Sequence, residues 1–174
     1  MPQLPFKDKG PVQLTWDYGD SNLVINPVLG TVSFTTVDSV SDIQEERYGE
    51  TPVDAVFTGT VAELAVPMTR STLDQLINLC EGIESGGASI AVFKVKSGCD
   101  MYSSAKQIVI KPLCDNVPDA DSEHWILIYK CFPYRDFDLG FNREDQRVHM
   151  VRFKVFPCQE SGYEGKLYQY GVSS

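Results

Sequence analysis

Short runs of alternating apolar and polar residues, separated by glycine and proline, dominate this chain. In residues 12–17, Val12, Leu14 and Trp16 fall on one side of the alternation, and residues 18–20 follow as a turn. A period of two is typical of a half-buried β-strand. The same pattern, or a β-branched composition, predicts further strands in these ranges: 21–26, 31–37, 53–67, 89–96, 105–111, 124–132, 147–156 and 166–172.

One segment has a helical period instead, and it predicts a helix over about 71–82. Ser71 is the candidate N-cap. Eight or nine strands with one helix predict a mainly β fold, an antiparallel sandwich or barrel against which the helix packs. We expect one domain over 12–174, preceded by an extended N-terminal arm over 1–11. The apolar residues at helical spacing are Leu73, Leu76, Ile77, Cys80 and Ile83.

Residues 38–54 interrupt the strand pattern. The segment predicts either a long solvated loop or a projecting hairpin, longer than a usual connection inside a domain. Two hypotheses for its role stay open: a mobile acidic insert, or a contact loop that a partner orders. The strand that follows contains Gly59, which we expect at a bulge or at a close approach of another backbone. Against one basic residue, Arg47, the segment carries six acids: Asp38, Asp42, Glu45, Glu46, Glu50 and Asp54.

Composition and charge exclude several classes of protein. With 174 residues, 43% of them hydrophobic, the chain can bury a substantial core. Its 24 acidic and 15 basic residues give a formal net charge of −9. This balance argues against binding to nucleic acid or to an anionic membrane, because both kinds of binding depend on lysine and arginine side chains that contact phosphate groups. Neither a membrane-spanning apolar run nor a signal-peptide pattern is visible, so we expect neither feature.

The cysteines predict free thiols. There is no CxxC pair, and only two histidines could complete a metal site. We therefore expect buried or half-buried thiols, no zinc, and assembly in a reducing cytosol. The five cysteines are Cys80, Cys99, Cys114, Cys131 and Cys158.

No catalytic arrangement is visible, so we expect no enzyme. The chain has no G-x-S-x-G motif and no glycine-rich phosphate loop. Cys99 has no histidine close to it in the sequence. His124 begins a predicted strand and His149 lies within one, so we expect both to be strand histidines at a surface or interface. We expect no cofactor.

An acidic stretch offers one candidate metal site. Asp119, Asp121 and Glu123 alternate in a manner similar to a calcium loop, but the glycine and distal glutamate of such a loop are missing. A solvated acidic turn is the alternative that we favour.

A charged, aromatic segment at 133–146 allows a second hypothesis for function. The chain could be a β-sandwich binding module for carbohydrate or protein. Three aromatic residues would form a platform for the ligand. Two carboxylates beside it would accept hydrogen bonds from the ligand's hydroxyl groups. These residues are Tyr134, Phe137, Phe141, Asp136 and Asp138.

Three segments together resemble the tail tube proteins of long-tailed bacteriophages. The first is 49–59, Gly-Glu-Thr-Pro-Val-Asp-Ala-Val-Phe-Thr-Gly, which leads through a strand into the predicted helix. The second is the pair of long strands that ends at 151–157, Val-Arg-Phe-Lys-Val-Phe-Pro. The third is the closing 165–171, Gly-Lys-Leu-Tyr-Gln-Tyr-Gly.

The resemblance implies a β-barrel or sandwich subunit that forms hexameric rings. Such rings stack head to tail into a tube whose acidic channel conducts DNA without binding it. It implies inter-subunit contacts in the acidic segment and two acids on the strand that lines the channel. The contact residues would be Glu45, Glu46, Arg47 and Tyr48, and the channel-lining residues Asp54 and Glu63.

The implied partners are further copies of the chain and other tail proteins, such as tape measure, terminator and baseplate components. The implied location is the virion tail, assembled in the host cytoplasm. A related ring-forming component, such as a tail terminator, a distal-tail protein or a secretion-tube subunit, remains an alternative.

Overall fold

The computed structural model of the chain describes residues 10–26, 31–68, 77, 79, 83–87, 90–95, 97–98, 100–136 and 149–172. The predicted arm, apart from residues 10–11, lies outside these ranges. Most of the predicted helix and the aromatic segment at 137–148 lie outside them as well.

The described chain is mainly β, as the sequence predicts. Its large sheet is antiparallel, with the strand order β2-β1-β7-β9-β10-β4-β3; β8 also pairs with β7, and β11 with β9. Within the described ranges no ladder joins β2 to β3, so this nine-stranded sheet is not closed. β5 and β6 form a separate two-stranded sheet. The strands are β1 Val12–Trp16, β2 Leu23–Ile25, β3 Ser33–Gln44, β4 Pro52–Met68, β5 Ile83–Gly87, β6 Ile90–Phe93, β7 Lys106–Cys114, β8 Val117–Pro118, β9 Ile126–Asp136, β10 His149–Val155 and β11 Tyr168–Tyr170.

One face of the large sheet forms the main core because successive side chains of a strand point to opposite faces. In β10, Val151 and Phe153 are fully buried, while Lys154 on the other face is exposed. The sheet also curls, since the rings of Phe34 on β3 and Tyr168 on β11 meet with centroids 5.0 Å apart. The fully buried core residues include Leu14, Ile25, Leu64, Val66, Met68, Ile108 and Ile128.

A smaller apolar cluster lies on the opposite face of β7 and β9. Val109, Leu127 and Tyr129 are buried there together with Cys158. The closing segment holds this cluster in place through backbone hydrogen bonds such as the one from Tyr129 N to Leu167 O, 3.1 Å. The last strand therefore continues the ladder of β9 within the same sheet, while Cys158 and Val172 of the closing segment pack on this second face.

Of the two forms predicted for the acidic segment, the structure has the hairpin, and the long loop is wrong. β3 continues to Gln44 and β4 begins at Pro52, so residues 38–54 form the outer part of a long hairpin. Only residues 45–51 connect the two strands.

The region after β4 agrees with the sequence in part. Ile77 and Leu79 are helical, and Leu79 is buried in the main core. Ile83, which the helical spacing assigns to the helix, instead begins strand β5. Pairing with β6 supplies hydrogen bonds that a further helical turn would otherwise provide.

Candidate assembly surface

The outer part of the β3–β4 hairpin is the surface most open to a partner. We call residues 35–61 the ribbon. Every residue of the ribbon is exposed, because β10 pairs with β4 only from Glu63 to Met68. An isolated two-stranded hairpin is marginally stable in water. A ribbon of this length is therefore expected to gain stability when something packs against it.

The ribbon combines large apolar side chains with negative charge. Phe57 is 75% exposed, the highest value among the ribbon's apolar residues. Six acids and one base lie between residues 38 and 54, so this segment carries five of the chain's nine net negative charges. The exposed apolar residues of the ribbon are Val37, Val40, Ile43, Tyr48, Val53, Val56, Phe57 and Val61.

Apolar side chains occupy both faces of the ribbon. Val37 pairs with Val61, and Val40 pairs with Phe57. Directly paired residues of an antiparallel ladder lie on the same face, and residues an odd number of positions apart on one strand lie on opposite faces. Val37 and Val40 are three positions apart on β3. Neither face of the ribbon is therefore a purely polar, solvent-facing surface.

A β-bulge sets which ribbon residues share a face. On β3, Ser39 pairs with Gly59 and Val40 pairs with Phe57, which leaves Thr58 as an extra residue on β4. The bulge lies next to Gly59, where the sequence predicts either a bulge or a close backbone approach. Beyond the bulge, the alternation of β4 is shifted by one residue.

The bulge brings the two predicted channel-lining acids onto one face. Asp54 and Glu63 are nine positions apart, which would place them on opposite faces of a regular strand. Their partners on β3, Ile43 and Thr35, are eight positions apart and so share a face. The acids are not close together, because nine strand residues span roughly 30 Å.

The environments of these two acids differ. The Tyr134 hydroxyl donates a hydrogen bond of 2.8 Å to Glu63 Oε2, and Arg152 bonds the other carboxylate oxygen. The hydrogen bond from Tyr134, together with the hydrogen bond and charge of Arg152, lowers the pKa of Glu63 despite the opposing effect of burial. Arg152 also binds Asp136. Glu63 is thus a compensated acid in a cross-strand network.

Asp54 is an exposed acid without such compensation. Among the described residues, its carboxylate accepts a hydrogen bond from its own strand, from Ala55 N to Asp54 Oδ1 at 2.8 Å. Of the two predicted channel-lining residues, Asp54 is therefore the one that presents its charge to the surroundings.

The four predicted contact residues lie together at the tip of the ribbon. Glu46–Tyr48 form one turn of 3-10 helix, in which Tyr48 N donates to Glu45 O at 2.9 Å. The turn ends at Gly49, whose φ of 66° favours glycine. The guanidinium of Arg47 lies 5.9 Å from the centre of the Tyr48 ring. The tip thus exposes two acids and a cation–aromatic pair on an ordered turn.

The candidate calcium loop uses its acids to build a turn. Asp119 Oδ1 accepts from Asp121 N at 3.1 Å, and Asp121 Oδ1 accepts from Glu123 N at 3.0 Å. The second carboxylate oxygen of Asp119 lies 2.9 Å from His124 Nδ1. No group of three or more His, Cys, Asp or Glu residues in the described part of the chain could hold a metal ion.

The predicted sugar platform is occupied by contacts within the chain where the structure describes it. The Tyr134 hydroxyl bonds Glu63, and Asp136 bonds Arg152. Phe137, Asp138 and Phe141 lie outside the described residues.

Of the thiol and histidine candidates, the structure describes the side chain of His124, whose Nδ1 lies 2.9 Å from Asp119 Oδ2. Cys131 and Cys158 are free and buried, and burial raises the pKa of the Cys131 thiol well above its ordinary value. Such a thiol is a poor nucleophile. Cys80 and Cys99 lie outside the described residues.

Sequence reasoning identified the tip of the ribbon but missed its apolar faces. Val37, Val40 and Ile43 recur among the acids at a spacing of three, and all are β-branched. A β-branched composition favours a strand even where the alternation is absent. That composition is the signal that could have extended β3 to Gln44.

No model of a known protein family matches the chain, and no curated protein matches it. Among the described residues, no helix has the length and apolar character needed to cross a membrane.

Proposed function

We propose that this chain is a structural subunit that assembles with copies of itself into rings. The rings stack into the tail tube of a long-tailed bacteriophage, and the channel of the tube conducts the DNA genome. The observation that carries the proposal is the ribbon, a projecting hairpin with exposed apolar side chains on both faces. Exposed apolar patches of this kind mark interaction surfaces.

Burial of the ribbon supplies the driving force for assembly. Its eight large apolar side chains are 44% to 75% exposed. Completing the burial of each contributes on the order of 1 kcal/mol. The sum offsets much of the loss of translational and rotational freedom on association. The body of the domain already buries its apolar core within the chain. The exposed apolar side chains of the ribbon are buried only when the chain assembles.

The shape of the ribbon favours an open assembly. The two faces of the ribbon differ, so one face of a copy packs on the opposite face of its neighbour. Such a head-to-tail contact is heterologous, and repeating it generates a ring or a helical filament rather than a two-fold dimer. A tube of stacked rings contains both arrangements, since its subunits close into rings and the rings stack into a helical filament.

The charge distribution supports a channel for DNA. The net charge is −9, and phosphate is repelled by an acidic wall. Asp54 and Glu63 share one face of β4, as two residues lining one channel would. Because Arg152 compensates Glu63, the proposal assigns the larger share of the repulsion to Asp54.

The finer features expected from the resemblance belong to the same proposal. They are a barrel-like or sandwich arrangement of the strands, a packed helix over about 71–82, a hexameric ring and a location in the virion tail. The curl of the sheet supports such an arrangement, and the buried helical Leu79 supports the packed helix. The other proposed partners are tape measure, terminator and baseplate proteins.

Negative-stain electron microscopy of the purified chain over a concentration series tests the proposal. Tubes with a central channel are the expected result. Rings that never stack would replace the tube with a terminator-like ring, and monomers at every concentration would overturn self-assembly altogether. The double substitution Val37→Ser and Val61→Ser should prevent tubes. The control, Val95→Ser and Val117→Ser, removes two exposed valines outside the ribbon and should leave them intact.

A further inference from the structure

Gly59 lies in the middle of strand β4, within the ribbon, and pairs with Ser39. Glycine inside a strand is unfavourable, because it loses more conformational freedom on folding than other residues and packs no side chain. Its presence at this position therefore calls for a reason in the backbone conformation, in the packing within the chain, or in a contact with another molecule.

The backbone conformation supplies no reason. Seven described glycines have a positive φ, and Gly59 is not among them. The bulge beside it places Thr58, and not Gly59, as the extra residue. A residue with a side chain could therefore adopt the conformation of Gly59.

Packing within the chain supplies no reason either. A Cβ atom built at Gly59 would meet no heavy atom of the described residues within 4 Å. At Gly171, by contrast, the same atom would lie 3.7 Å from the Glu123 backbone. The space above Gly59 is open, and nothing within the described chain fills it.

Gly59 forms the floor of a notch on one face of the ribbon. On that face the Ser39–Gly59 pair lies between the Val37–Val61 pair and the Ser41–Val56 pair. Valine side chains thus rise on either side of a position that has almost no side-chain bulk. We call this position the notch.

The opposite face carries a projection at nearly the same height. Val40 and Phe57 form the next pair after Ser39 and Gly59, so they point to the other face about 3.3 Å further along the ribbon. Phe57 is 75% exposed. Two ribbons stacked face to face in the same direction would place the Phe57 ring of one opposite the notch of the other.

We propose that Phe57 of one copy inserts into the notch over Gly59 of a second copy of this chain. This inference rests on the proposed self-assembly and names the contact that propagates it. A second copy is the occupant that fits, because its ribbon carries the exposed Phe57 on the face opposite the notch and at nearly the same height. Since projection and notch lie on opposite faces, the contact repeats from copy to copy.

The test uses the full chain in three forms: native, Gly59→Ala and Phe57→Ala. Gly59→Ala fills the notch and should raise the concentration needed for assembly about tenfold or more. The melting temperature of its monomer should be unchanged or higher, because alanine reduces the freedom of the unfolded chain. Ser41→Ala, on the same face, adds no bulk and should assemble as the native chain does.

Mixing the two single variants shows whether assembly fails because this one contact is lost or because the structure of the whole ribbon is disturbed. Gly59→Ala keeps the projection and Phe57→Ala keeps the notch, so an equimolar mixture should form pairs that do not grow, seen by sedimentation velocity. Native-like assembly of Gly59→Ala overturns the proposed contact while leaving self-assembly intact. A mixture that stays monomeric also overturns the contact. A native chain that never assembles overturns both proposals.

Discussion

The indole ring of Trp16 packs against the phenyl ring of Phe153, with their centroids 5.4 Å apart and their planes inclined by 51°. Trp16 belongs to β1 and Phe153 to β10, and strands β7 and β9 lie between these two in the sheet. In a flat sheet, strands three places apart are separated by roughly 14 Å. The contact therefore requires a strongly curled sheet, whose concave face encloses the core.

This contact predicts that Phe153 is essential for the stability of the monomer. Phe153→Ala should lower the free energy of unfolding by about 3–5 kcal/mol, because it leaves a cavity where the curl closes. Urea denaturation, followed by tryptophan fluorescence below the assembly concentration, measures the effect. Phe57→Ala serves as the control, because it removes the same side chain from an exposed position, and should change the free energy of unfolding by less than about 1 kcal/mol.

The strands of the core were predictable because burial on one face imposes a period of two. In β10, Val151, Phe153 and Val155 are buried and alternate with Arg152 and Lys154, as the sequence indicates. The same logic located β1, whereas β4 was predicted from a composition rich in Val, Phe and Thr. It also gave the mainly β class.

The ribbon was only partly predictable because neither of its faces is buried within the chain. Without burial no alternation is selected, and the valines at 37 and 40 stand among acids and serines. The composition therefore suggested a loop as readily as a hairpin. Gly59 indicated the region of the bulge but not that Thr58 is the extra residue, because a register is fixed by pairing and not by the sequence of one strand.

The network around Glu63 could not be predicted either. Its members come from β4, β9 and β10, and Arg152 is 89 positions away from Glu63 in the chain. Which side chains meet across three strands depends on a register that local patterns do not specify. The sequence indicated an acid on a strand, but not that Arg152 compensates it.

The ion pair between Asp17 and Lys106 predicts a loss of stability in acid. Burial by itself raises the pKa of Asp17, but the hydrogen bonds from Lys106 and Ser21 N and the Lys106 charge lower it overall. A lowered pKa in the folded state adds stability at neutral pH, which is lost as the pH falls from about 4 through the folded-state pKa. Asp17→Asn should therefore cost about 1 kcal/mol at pH 7 and little near pH 2.

The substitution Asp17→Asn removes the negative charge without a change in the preferred backbone conformation at this position. Asp17 has a φ of 55°, and asparagine adopts this left-handed conformation as readily as aspartate. Thermal melts of both chains from pH 2 to pH 8 give the difference. Asp20→Asn, an exposed acid of the same turn, is the control. A gap between native and Asp17→Asn that stays constant with pH would contradict the role of the charge.

The two predicted channel acids should differ in their effect on folding. Glu63→Gln should lower the stability at pH 7 by less than about 1 kcal/mol, since its network is partly exposed. Because the pKa of Glu63 is lowered in the folded chain, this difference should close as the pH falls below about 4.5. Asp54→Asn removes an exposed carboxylate and should leave the melting temperature at pH 7 unchanged. An equal effect of both variants would show that the Arg152 network does not stabilise the fold.

Reversal of charge at the tip of the ribbon should impair assembly without affecting the fold. Glu45 and Glu46 are exposed, and the turn around them is held by backbone hydrogen bonds, so Glu45→Lys with Glu46→Lys leaves the melting temperature of the monomer unchanged. At an interface, a wrongly placed charge costs several kcal/mol, so the concentration needed for assembly should rise about tenfold or more, as measured by sedimentation. Asp20→Lys with Glu164→Lys makes the same change of net charge away from the ribbon. If this control impairs assembly equally, net charge and not the tip controls association.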